Sequence, residues 1–374
     1  MLVLIGATML ALAFVTSALL SRLVRGTARR LDFVDRPAER KIHIKPVALG
    51  GGVAVFLATG AIVAGGVALA LLWDRSGSPA WLPRVVQQHI PAIVARSGLV
   101  FYVLGGGAVL LLLGLIDDVW QLSPWTRLAV QVIVASVLCL ASDELRVTAF
   151  VGVGWVTFVY TVAWIVGITN AFNLLDNMDG LSAGVAVIAS SVFLVVALLT
   201  QQYFLAAMLL VFAGSLLGFL LFNFPPATLF MGDAGSMFVG YMLSVLTILF
   251  TFYMPGRNQN PVGSVLMPLV ILAVPLYDTI SVVAIRLAAG KPIFGADKNH
   301  FSHRLVVLGM DRRAAVLTIY LVTLCTGLLA PLLLRLDNVM SLVVFVNLAV
   351  MLALVWLLEH TGRRGRHSSP GNSH

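Results

Sequence analysis

The stretch Asn223-Phe-Pro-Pro-Ala-Thr-Leu-Phe-Met-Gly-Asp-Ala-Gly-Ser236 separates two long apolar runs, 205–222 and 237–252. Its two adjacent prolines predict the end of the incoming helix, because proline has no backbone N–H to donate. The glycines beside Asp233 allow the backbone to come close to a ligand. An acid in such a turn can serve a divalent cation that carries phosphates, or it can be the solvated cap of a tight turn between two helices.

The composition is that of a membrane protein. Of the 374 residues, 60% are hydrophobic and 11% are charged, against about 25% charged residues in soluble domains. Many apolar runs reach the roughly 20 residues that a spanning helix needs, and they do not alternate as the strands of a β-barrel would. We therefore predict an all-α, polytopic membrane protein with about 11 transmembrane helices. The predicted spans are 1–24, 47–73, 98–116, 127–142, 147–166, 180–200, 203–222, 237–253, 263–289, 313–334 and 338–359.

Residues 1–360 are predicted to form one integral membrane domain, followed by a polar, disordered tail over 361–374. Cys139 and Cys325 both fall in apolar runs, which indicates buried hydrophobic residues and not a disulfide or a metal site. The net charge of +8 does not indicate a nucleic-acid partner, because the Lys and Arg residues lie in the loops where membrane topology requires them.

The basic residues also predict the orientation. With the N-terminus outside, 18 of the 24 Lys and Arg residues lie in inner segments, so the positive-inside rule places the C-terminus in the cytoplasm. Most acidic residues then fall on the same side, although acids contribute little to topology. A polar site is therefore predicted at the cytoplasmic membrane face. The acids in cytoplasmic loops or at their edges include Asp117, Asp118, Asp176, Asp179, Asp233 and Asp297.

Two of these inner loops carry acids in close spacing. Asp117 and Asp118 follow the third span, and neighbouring carboxylates repel each other unless a proton or cation intervenes. They can form a base or metal-associated pair, or simply a solvated helix end. After the fifth span, the spacing of Asn173, Asp176 and Asp179 would place all three on one helical face. These side chains can bind a nucleotide or a metal, or they can be the capped start of a helix.

Basic and imidazole groups follow in other inner segments. His300, His303 and Arg304 can donate to phosphate oxygens, or their loop can meet anionic lipid. The first inner loop, 35–46, is strongly basic and can be a topology signal alone. Asp278 follows Pro275 within the ninth span, where it can be functional or can pair with Arg286 or a backbone group.

Five of these motifs occur in an order that resembles a known family. They are Asp-Arg-Pro-x-x-Arg-Lys-x-His at 35–43, Asp-Asp at 117–118, Asn-x-x-Asp-x-x-Asp-Gly-Leu at 173–181, Phe-Met-Gly-Asp-x-Gly-Ser at 230–236 and His-Phe-Ser-His-Arg at 300–304. The chain resembles the polyprenyl-phosphate N-acetylhexosamine-1-phosphate transferases of glycosyltransferase family 4, from the first span to the last. Its basic first loop and its His-x-x-His-Arg form are similar to the branch that starts O-antigen, teichoic-acid or arabinogalactan-linker assembly.

The resemblance implies a role for each matching residue. Asp233 corresponds to a magnesium ligand, with Asn173 as the next candidate for the metal or its pyrophosphate, and Mn²⁺ as a substitute ion. Asp117 corresponds to the group that takes the proton from the lipid phosphate, with Asp118 beside it, and His300 and His303 complete the catalytic set. With Arg304, these histidines would hold the diphosphate or sugar. The implied substrate-binding residues are Lys45, Asn173, Asp176, Asp179, Asn223, Phe230, which would stack on uracil, and Arg304.

The implied reaction is the transfer of HexNAc-1-phosphate, with N-acetylglucosamine as the expected sugar, from a UDP-sugar to polyprenyl phosphate with release of UMP. The resemblance implies a multi-pass protein of the bacterial plasma membrane and is compatible with a homodimer. Direct attack by the lipid phosphate and a covalent aspartyl intermediate both stay open. Two alternatives also stay open, a phospho-N-acetylmuramoyl-pentapeptide translocase of peptidoglycan synthesis and a secondary transporter of an anionic solute.

Overall fold

The computed structural model describes residues 1–36, 46–147, 153–251, 261–293, 295 and 299–367. Apart from a short 3-10 turn at Asp143–Leu145, their regular structure consists of α-helices and two short strands. In chain order these elements are α1 Leu2–Arg30, β1 Val34–Asp35, β2 Val47–Ala48, α2 Gly51–Ser76, α3 Arg84–Ala95, α4 Ser97–Trp120, α5 Pro124–Ala141, α6 Gly154–Leu175, α7 Leu181–Leu199, α8 Tyr203–Asn223, α9 Gly232–Thr251, α10 Pro261–Ile271, α11 Ala273–Ala288, α12 Phe301–Val307, α13 Arg312–Gly327, α14 Ala330–Leu333 and α15 Asn338–His367.

The described residues contain ten helices that are long and apolar enough to cross a membrane, and the bent pair α10–α11 adds an eleventh. The chain is therefore a helical, multi-pass membrane protein, as its composition predicts. The fold is mostly helical, in agreement with the predicted all-α class, and the described residues also contain one short strand pair. Strands β1 and β2 pair antiparallel, with Val34 opposite Ala48 and Asp35 opposite Val47.

The chain forms two compact units, Met1–Phe252 and Tyr253–His374. One integral membrane domain over 1–360 stays a prediction. The centre of the first unit is α9, which packs against α2, α4, α6, α7 and α8. Its side chains are almost all buried, and polar ones among them are hydrogen bonded. Tyr241 donates to the carbonyl of Val103 on α4, and Trp164 on α6 donates to the hydroxyl of Thr247.

Two helices of the first unit extend further toward the predicted site than their apolar runs. Helix α6 spans Gly154–Leu175 instead of 147–166, and α9 begins at Gly232 instead of 237. Both differences have one physical cause, because the polar residues at these ends find partners on neighbouring helices. Helix α8 ends at Asn223 as predicted, just before Pro225 and Pro226.

In the second unit, the predicted ninth span is broken. Helices α10 and α11 meet at an angle of 71° around Leu272. Pro275 has no N–H to donate to the carbonyl of Ile271, the residue at which α10 ends. At the other end of this unit, α15 continues to His367, into the segment that the sequence predicts to be a disordered tail. Residues 368–374 of that tail lie outside the described residues.

Candidate active site

The sequence predicts that Asp233 lies in a turn before the helix. In the structure, Asp233 lies in the first turn of α9 itself. Gly232 opens this turn with a φ of 73°, in the left-handed region that favours glycine. The backbone N–H groups of Asp233 and Ala234 donate to the two carboxylate oxygens of Asp118, over 2.8 and 3.4 Å. A carboxylate is favourable at a helix N-terminus, where N–H groups have no intrahelical partner. Asp118 thereby joins the end of α4 to the start of α9.

Glycines let three helices meet at this point. A Cβ added to Gly114 on α4 would lie 2.3 Å from the Cα of Ala234, and one added to Gly52 on α2 would lie 2.1 Å from the Cα of Gly235. Backbones this close leave no room for any side chain. The sequence suggests that glycines here let the backbone approach a ligand. In this structure they let the backbones of α2, α4 and α9 approach one another.

Asn173 connects α6 to the same helix start. Its side-chain nitrogen donates to Oδ1 of Asp233 over 2.6 Å and to the hydroxyl of Ser236 over 2.9 Å. One turn earlier on α6, the amide of Asn170 donates to Oε1 of Gln131 on α5 over 2.6 Å. These bonds satisfy the polar groups at the end of α6, which explains why the helix continues through them.

Asp117 is held by two donors from the α4–α5 connection. The N–H of Leu122 donates to Oδ1 over 2.6 Å, and Nη1 of Arg127 donates to Oδ2 over 2.8 Å. Only 3% of the Asp117 side chain is exposed, against 26% of the Arg127 side chain. Asp117 and Asp118 are thus part of the last turn of α4, which continues to Trp120, and their two carboxylates have different partners.

The prediction that one helical face carries Asn173, Asp176 and Asp179 is wrong. Helix α6 ends at Leu175, so only Asn173 is in the helix. Asp176 caps the helix, and Asp179 lies in the turn that leads to α7. The turn changes direction at Gly180, whose φ of 75° suits glycine, and this bend cannot be seen in a spacing rule.

The turn nevertheless keeps its acids within electrostatic reach of the helix ends. Burial raises the pKa of Asp176 well above its ordinary value. The neighbouring carboxylates of Asp233, Asp118 and Asp179 raise this pKa further, because each disfavours another negative charge. A cluster of this kind is stabilised by bound protons or by a cation.

Asp179 and Asn223 hold the two loops of the site against each other. Oδ2 of Asp179 accepts from the N–H of Ala227 over 2.9 Å. The amide of Asn223 accepts from the N–H of Gly180 and donates to the carbonyl of Leu229, each over 3.0 Å. Asn223 is buried, so its amide replaces water for two backbone groups.

Phe230 lies beside the first inner loop. Its N–H donates to the carbonyl of Ala48 in β2, and its carbonyl accepts from the N–H of Gly51 at the start of α2. These two bonds place the end of the basic loop next to the acidic stretch, which the sequence alone does not reveal. Lys45, a predicted substrate ligand in this loop, lies outside the described residues.

His300, His303 and Arg304 belong to the second unit, where His300 precedes α12 and the other two lie on it. Nδ1 of His300 lies 2.9 Å from Oδ2 of Asp278 on α11. The rings of His300 and His303 have centroids 6.2 Å apart. The structure gives Asp278 a histidine partner and also a backbone partner, the N–H of Phe301 over 2.6 Å, so the predicted pairing with a backbone group is confirmed. Arg286, the other predicted partner, donates to the carbonyls of Pro292 and Gly295.

Arg304 is enclosed in the second unit. Its guanidinium pairs with Glu359 on α15 over 2.8 Å and donates to Ser281 and to the carbonyl of Asn299. Its side chain is 2% exposed. Contact with a substrate phosphate, the role that the resemblance implies, would require the guanidinium to leave these partners.

The first unit thus collects the predicted site residues that it contains around the start of α9. Over the described ranges, no three His, Cys, Asp or Glu side chains are near enough to hold a metal ion by themselves. Magnesium does not need such a cage, because it commonly takes one or two carboxylates and completes its shell with water and substrate phosphates. The carboxylates near Asp233 fit this mode of binding. The residues collected here are Asp117, Asp118, Asn173, Asp176, Asp179, Asn223, Phe230 and Asp233.

Several partners of these residues were not singled out by the sequence. Arg127 carries only a topology signal in the sequence, yet it binds Asp117. Gln131 is a single polar residue in an apolar run, and it binds Asn170 of α6. A useful signal was available for it, since an uncompensated polar group in a membrane span needs a partner. Ser236 is the last residue of the motif at 230–236, and it binds Asn173 of α6.

The described residues thus form a multi-pass helical membrane protein with a cluster of carboxylates at its helix ends. Residues 100–251 match the model of "Glycosyl transferase family 4". The chain is 34% identical over 318 residues to a Bacillus subtilis protein named "Probable undecaprenyl-phosphate N-acetylglucosaminyl 1-phosphate transferase", covering 83% of this chain and 80% of that protein.

Other relatives agree with this match. A Mycobacterium leprae protein named decaprenyl-phosphate N-acetylglucosaminephosphotransferase is 34% identical over 343 residues, which cover 83% of this chain and 80% of the relative. A Streptococcus thermophilus phospho-N-acetylmuramoyl-pentapeptide-transferase is 34% identical over 175 residues, 42% of this chain and 50% of the relative. The chain belongs to glycosyl transferase family 4. This membership favours the predicted transferase over the predicted alternative of a secondary transporter.

Proposed function

We propose that this protein transfers N-acetylglucosamine-1-phosphate from a UDP-sugar to a polyprenyl phosphate lipid and releases UMP. The reaction would be the first membrane step of cell-envelope polysaccharide assembly, at the cytoplasmic face of the bacterial plasma membrane. The observation that carries the proposal is the cluster of Asp118, Asn173, Asp176 and Asp233 around the start of α9. This cluster lies in a chain whose relatives are named for the same transfer.

The bond changes are those of a phosphoryl transfer. An oxygen of the lipid phosphate attacks the phosphorus that carries the sugar, and a new P–O–P bond forms. The bond from that phosphorus to the oxygen of the UMP phosphate breaks, and UMP leaves with the electron pair. Because the lipid tail stays in the bilayer, the lipid phosphate meets the donor at the membrane surface. A group of the protein at the ends of the helices must therefore accept any proton that the attacking oxygen carries.

The metal in this proposal is Mg²⁺, for which Mn²⁺ can substitute. Asp233 would be its ligand, with Asn173 as the neighbouring group toward the metal or the pyrophosphate. When bound, such an ion supplies positive charge that reduces the repulsion between two anionic substrates and stabilises charge on the departing UMP. Support comes from the donor set, since carboxylates that raise one another's proton affinity favour a cation.

The carboxylates of α4 divide the remaining work. Asp118 fixes the start of α9 and so orients Asp233. Asp117 is proposed to take the proton from the lipid phosphate, and Arg127 beside it keeps a positive charge where the phosphate must approach. A covalent step at Asp117 or Asp118 is the competing route, and trapping of a phosphorylated aspartate would identify it.

The donor pocket is proposed to form around the two loops that Asn223 joins. Asp176 and Asp179 would meet the nucleoside, and Phe230 would stack on uracil. Lys45 of the first inner loop, His300 and His303 are proposed to contact the diphosphate or the sugar. Arg304 would join them only after its guanidinium leaves Glu359, Ser281 and the carbonyl of Asn299. The polar and aromatic character of these residues supports the assignment.

The proposal is tested by release of UMP from purified protein supplied with polyprenyl phosphate, UDP-N-acetylglucosamine and Mg²⁺. We expect UMP in proportion to lipid product, and none after chelation of the metal. Because part of the chain also matches a phospho-N-acetylmuramoyl-pentapeptide-transferase, UDP-N-acetylmuramoyl-pentapeptide is the second donor in the assay. UMP from this donor alone would select the peptidoglycan reaction, and UMP from neither would contradict both.

A further inference from the structure

A buried acid in the second unit has no role in the proposed reaction so far. Asp278 on α11 is 1% exposed, yet two nitrogen atoms of one neighbouring segment lie within hydrogen-bond distance of its carboxylate. Oδ1 accepts from the N–H of Phe301 over 2.6 Å, and Oδ2 lies 2.9 Å from Nδ1 of His300. His300 is 5% exposed, so this is a contact of the interior.

We propose that Asp278 is a positioning residue for His300, a deduction that rests on the proposed function because it uses His300 as a group of the active site. In this proposal the carboxylate of Asp278 accepts from the ring, which places a hydrogen of His300 on Nδ1. Nε2 is then the nitrogen that can accept a proton or donate one to a phosphate oxygen. The N–H of Phe301 donates to the other oxygen of Asp278 and so orients the carboxylate. The oriented carboxylate in turn orients the ring of His300.

A second contact holds the same segment from the same helix face. Ser281 follows Asp278 by three residues on α11, and residues three apart share a helix face. Its hydroxyl accepts from Nη1 of Arg304, one turn after His300. Arg304 is also paired with Glu359 on α15. The segment from His300 to Arg304 is therefore held by α11 at both of its ends, and this restricts the movement of His300.

The cost of this arrangement argues for a role beyond stability. Charged groups in a low-dielectric interior pay a desolvation penalty that often cancels their mutual attraction, and apolar residues of similar size are frequently as stable. Fixed orientation is what such a network provides and what apolar packing does not. In enzymes, a carboxylate that fixes the tautomer of a catalytic histidine has this geometry.

The variant Asp278→Asn tests the role. The backbone N–H of Phe301 can only donate, so the amide oxygen of the new asparagine would stay with it. The amide NH₂ would then face Nδ1 of His300, and the ring is expected to lose its Nδ1–H tautomer. We expect kcat for UMP release to fall by about tenfold or more, with a smaller change in KM for the UDP-sugar. Thr279→Ala is the matched control, since the hydroxyl of Thr279 donates within α11, to the carbonyl of Pro275, and not to α12.

A spectroscopic measurement does not depend on activity. In protein labelled with ¹⁵N-histidine, the His300 signals are assigned by their loss in His300→Gln, and their shifts give the tautomer. The Nδ1–H form in the wild type, changed in Asp278→Asn and kept in Thr279→Ala, supports the proposal. The Nε2–H form in the wild type overturns it, even where Asp278→Asn does not fold. Full kcat in a folded Asp278→Asn also overturns it, whereas a wild type that releases no UMP defeats the proposed function instead.

Discussion

The side-chain nitrogen of Asn173 lies 2.6 Å from Oδ1 of Asp233, although 60 residues separate them in the chain. The bond joins the last turn of α6 to the first turn of α9, and Asp118 reaches the same turn from α4. Three helix ends of the first unit therefore share one polar point. Such a point is expensive to build next to a membrane, and it is the reason for assigning the transfer chemistry there.

The variant Asp233→Asn is expected to insert and fold, because asparagine has the same shape, and to lose transfer activity by about 100-fold or more. The neutral amide cannot provide the charge that a divalent cation requires. Thermal unfolding of the purified protein gives a second readout, since a ligand that binds only the folded state raises Tm. Mg²⁺ should raise Tm of the wild type and leave that of Asp233→Asn unchanged. Wild-type turnover in the variant would remove Asp233 from the metal site.

Replacement of Arg127 is expected to reduce transfer by about tenfold, because Asp117 would lose the cation that holds its carboxylate. Arg127→Lys should keep part of the activity, since lysine retains the charge but not the planar geometry of the guanidinium. The control is Arg84→Ala on α3, a charge of the same type on an exposed side chain. Equal turnover in Arg127→Ala and Arg84→Ala would show that Arg127 serves topology alone.

Gly114→Ala is expected to destabilise the protein by about 1–3 kcal/mol, since the new methyl group would meet the backbone of α9 at Ala234. Gly105 is a matched control on the same helix, because a Cβ there has no heavy atom within 4 Å. Gly105→Ala should be neutral or stabilise by up to about 1 kcal/mol, as alanine favours the helix. The two values of Tm in detergent give the comparison. Equal effects would mean that α4 and α9 do not meet as described.

The pH dependence of stability tests the charge in the cluster. The pKa of Asp176 is higher in the folded protein than the value of about 3.9 in an unfolded chain, so the folded state holds this proton more tightly. The stability that the Asp176 carboxyl contributes is present below the unfolded pKa of about 3.9. It is lost as the pH rises from there through the higher pKa of Asp176 in the folded protein. In metal-free protein, Asp176→Asn should therefore raise Tm at pH 8 and not at pH 4.

Asp74→Asn, on an exposed acid, is the control and should leave Tm unchanged at both pH values. Addition of Mg²⁺ to the wild type at pH 8 is expected to reduce the difference from Asp176→Asn, because a cation relieves the same repulsion. If Asp176→Asn has the same Tm as the wild type at both pH values, the charge of Asp176 is not destabilised by burial or by the neighbouring carboxylates.

The sequence predicts the membrane spans well because each span is a local property. A run of apolar residues needs a helix and a bilayer, whatever its neighbours are. The predictions fail where a span meets the site. Asn173 and Asp233 read as loop residues in the sequence because they are polar, but each lies inside a helix because a partner from another helix satisfies it.

The candidate site was visible as a set of residue types and not as a geometry. The motifs contain Asp117, Asp176 and Asp233 but do not predict their contacts. They do not show that Arg127 binds Asp117, or that the chain turns at Gly180 after Asp176. Those details depend on contacts between segments far apart in sequence. The buried pair of Asp278 and His300 is of the same kind, since the two residues share no motif and meet only when α12 packs on α11.

The most direct test of the account uses UDP-N-acetylglucosamine labelled with ³²P at the phosphate that carries the sugar. Purified protein in detergent with Mg²⁺ and polyprenyl phosphate should move the label into the lipid extract and leave unlabelled UMP in the water phase. Asp233→Asn should leave the label in the nucleotide. Label that the wild type retains in aqueous UDP, with the sugar alone in the lipid, would contradict transfer of the sugar phosphate.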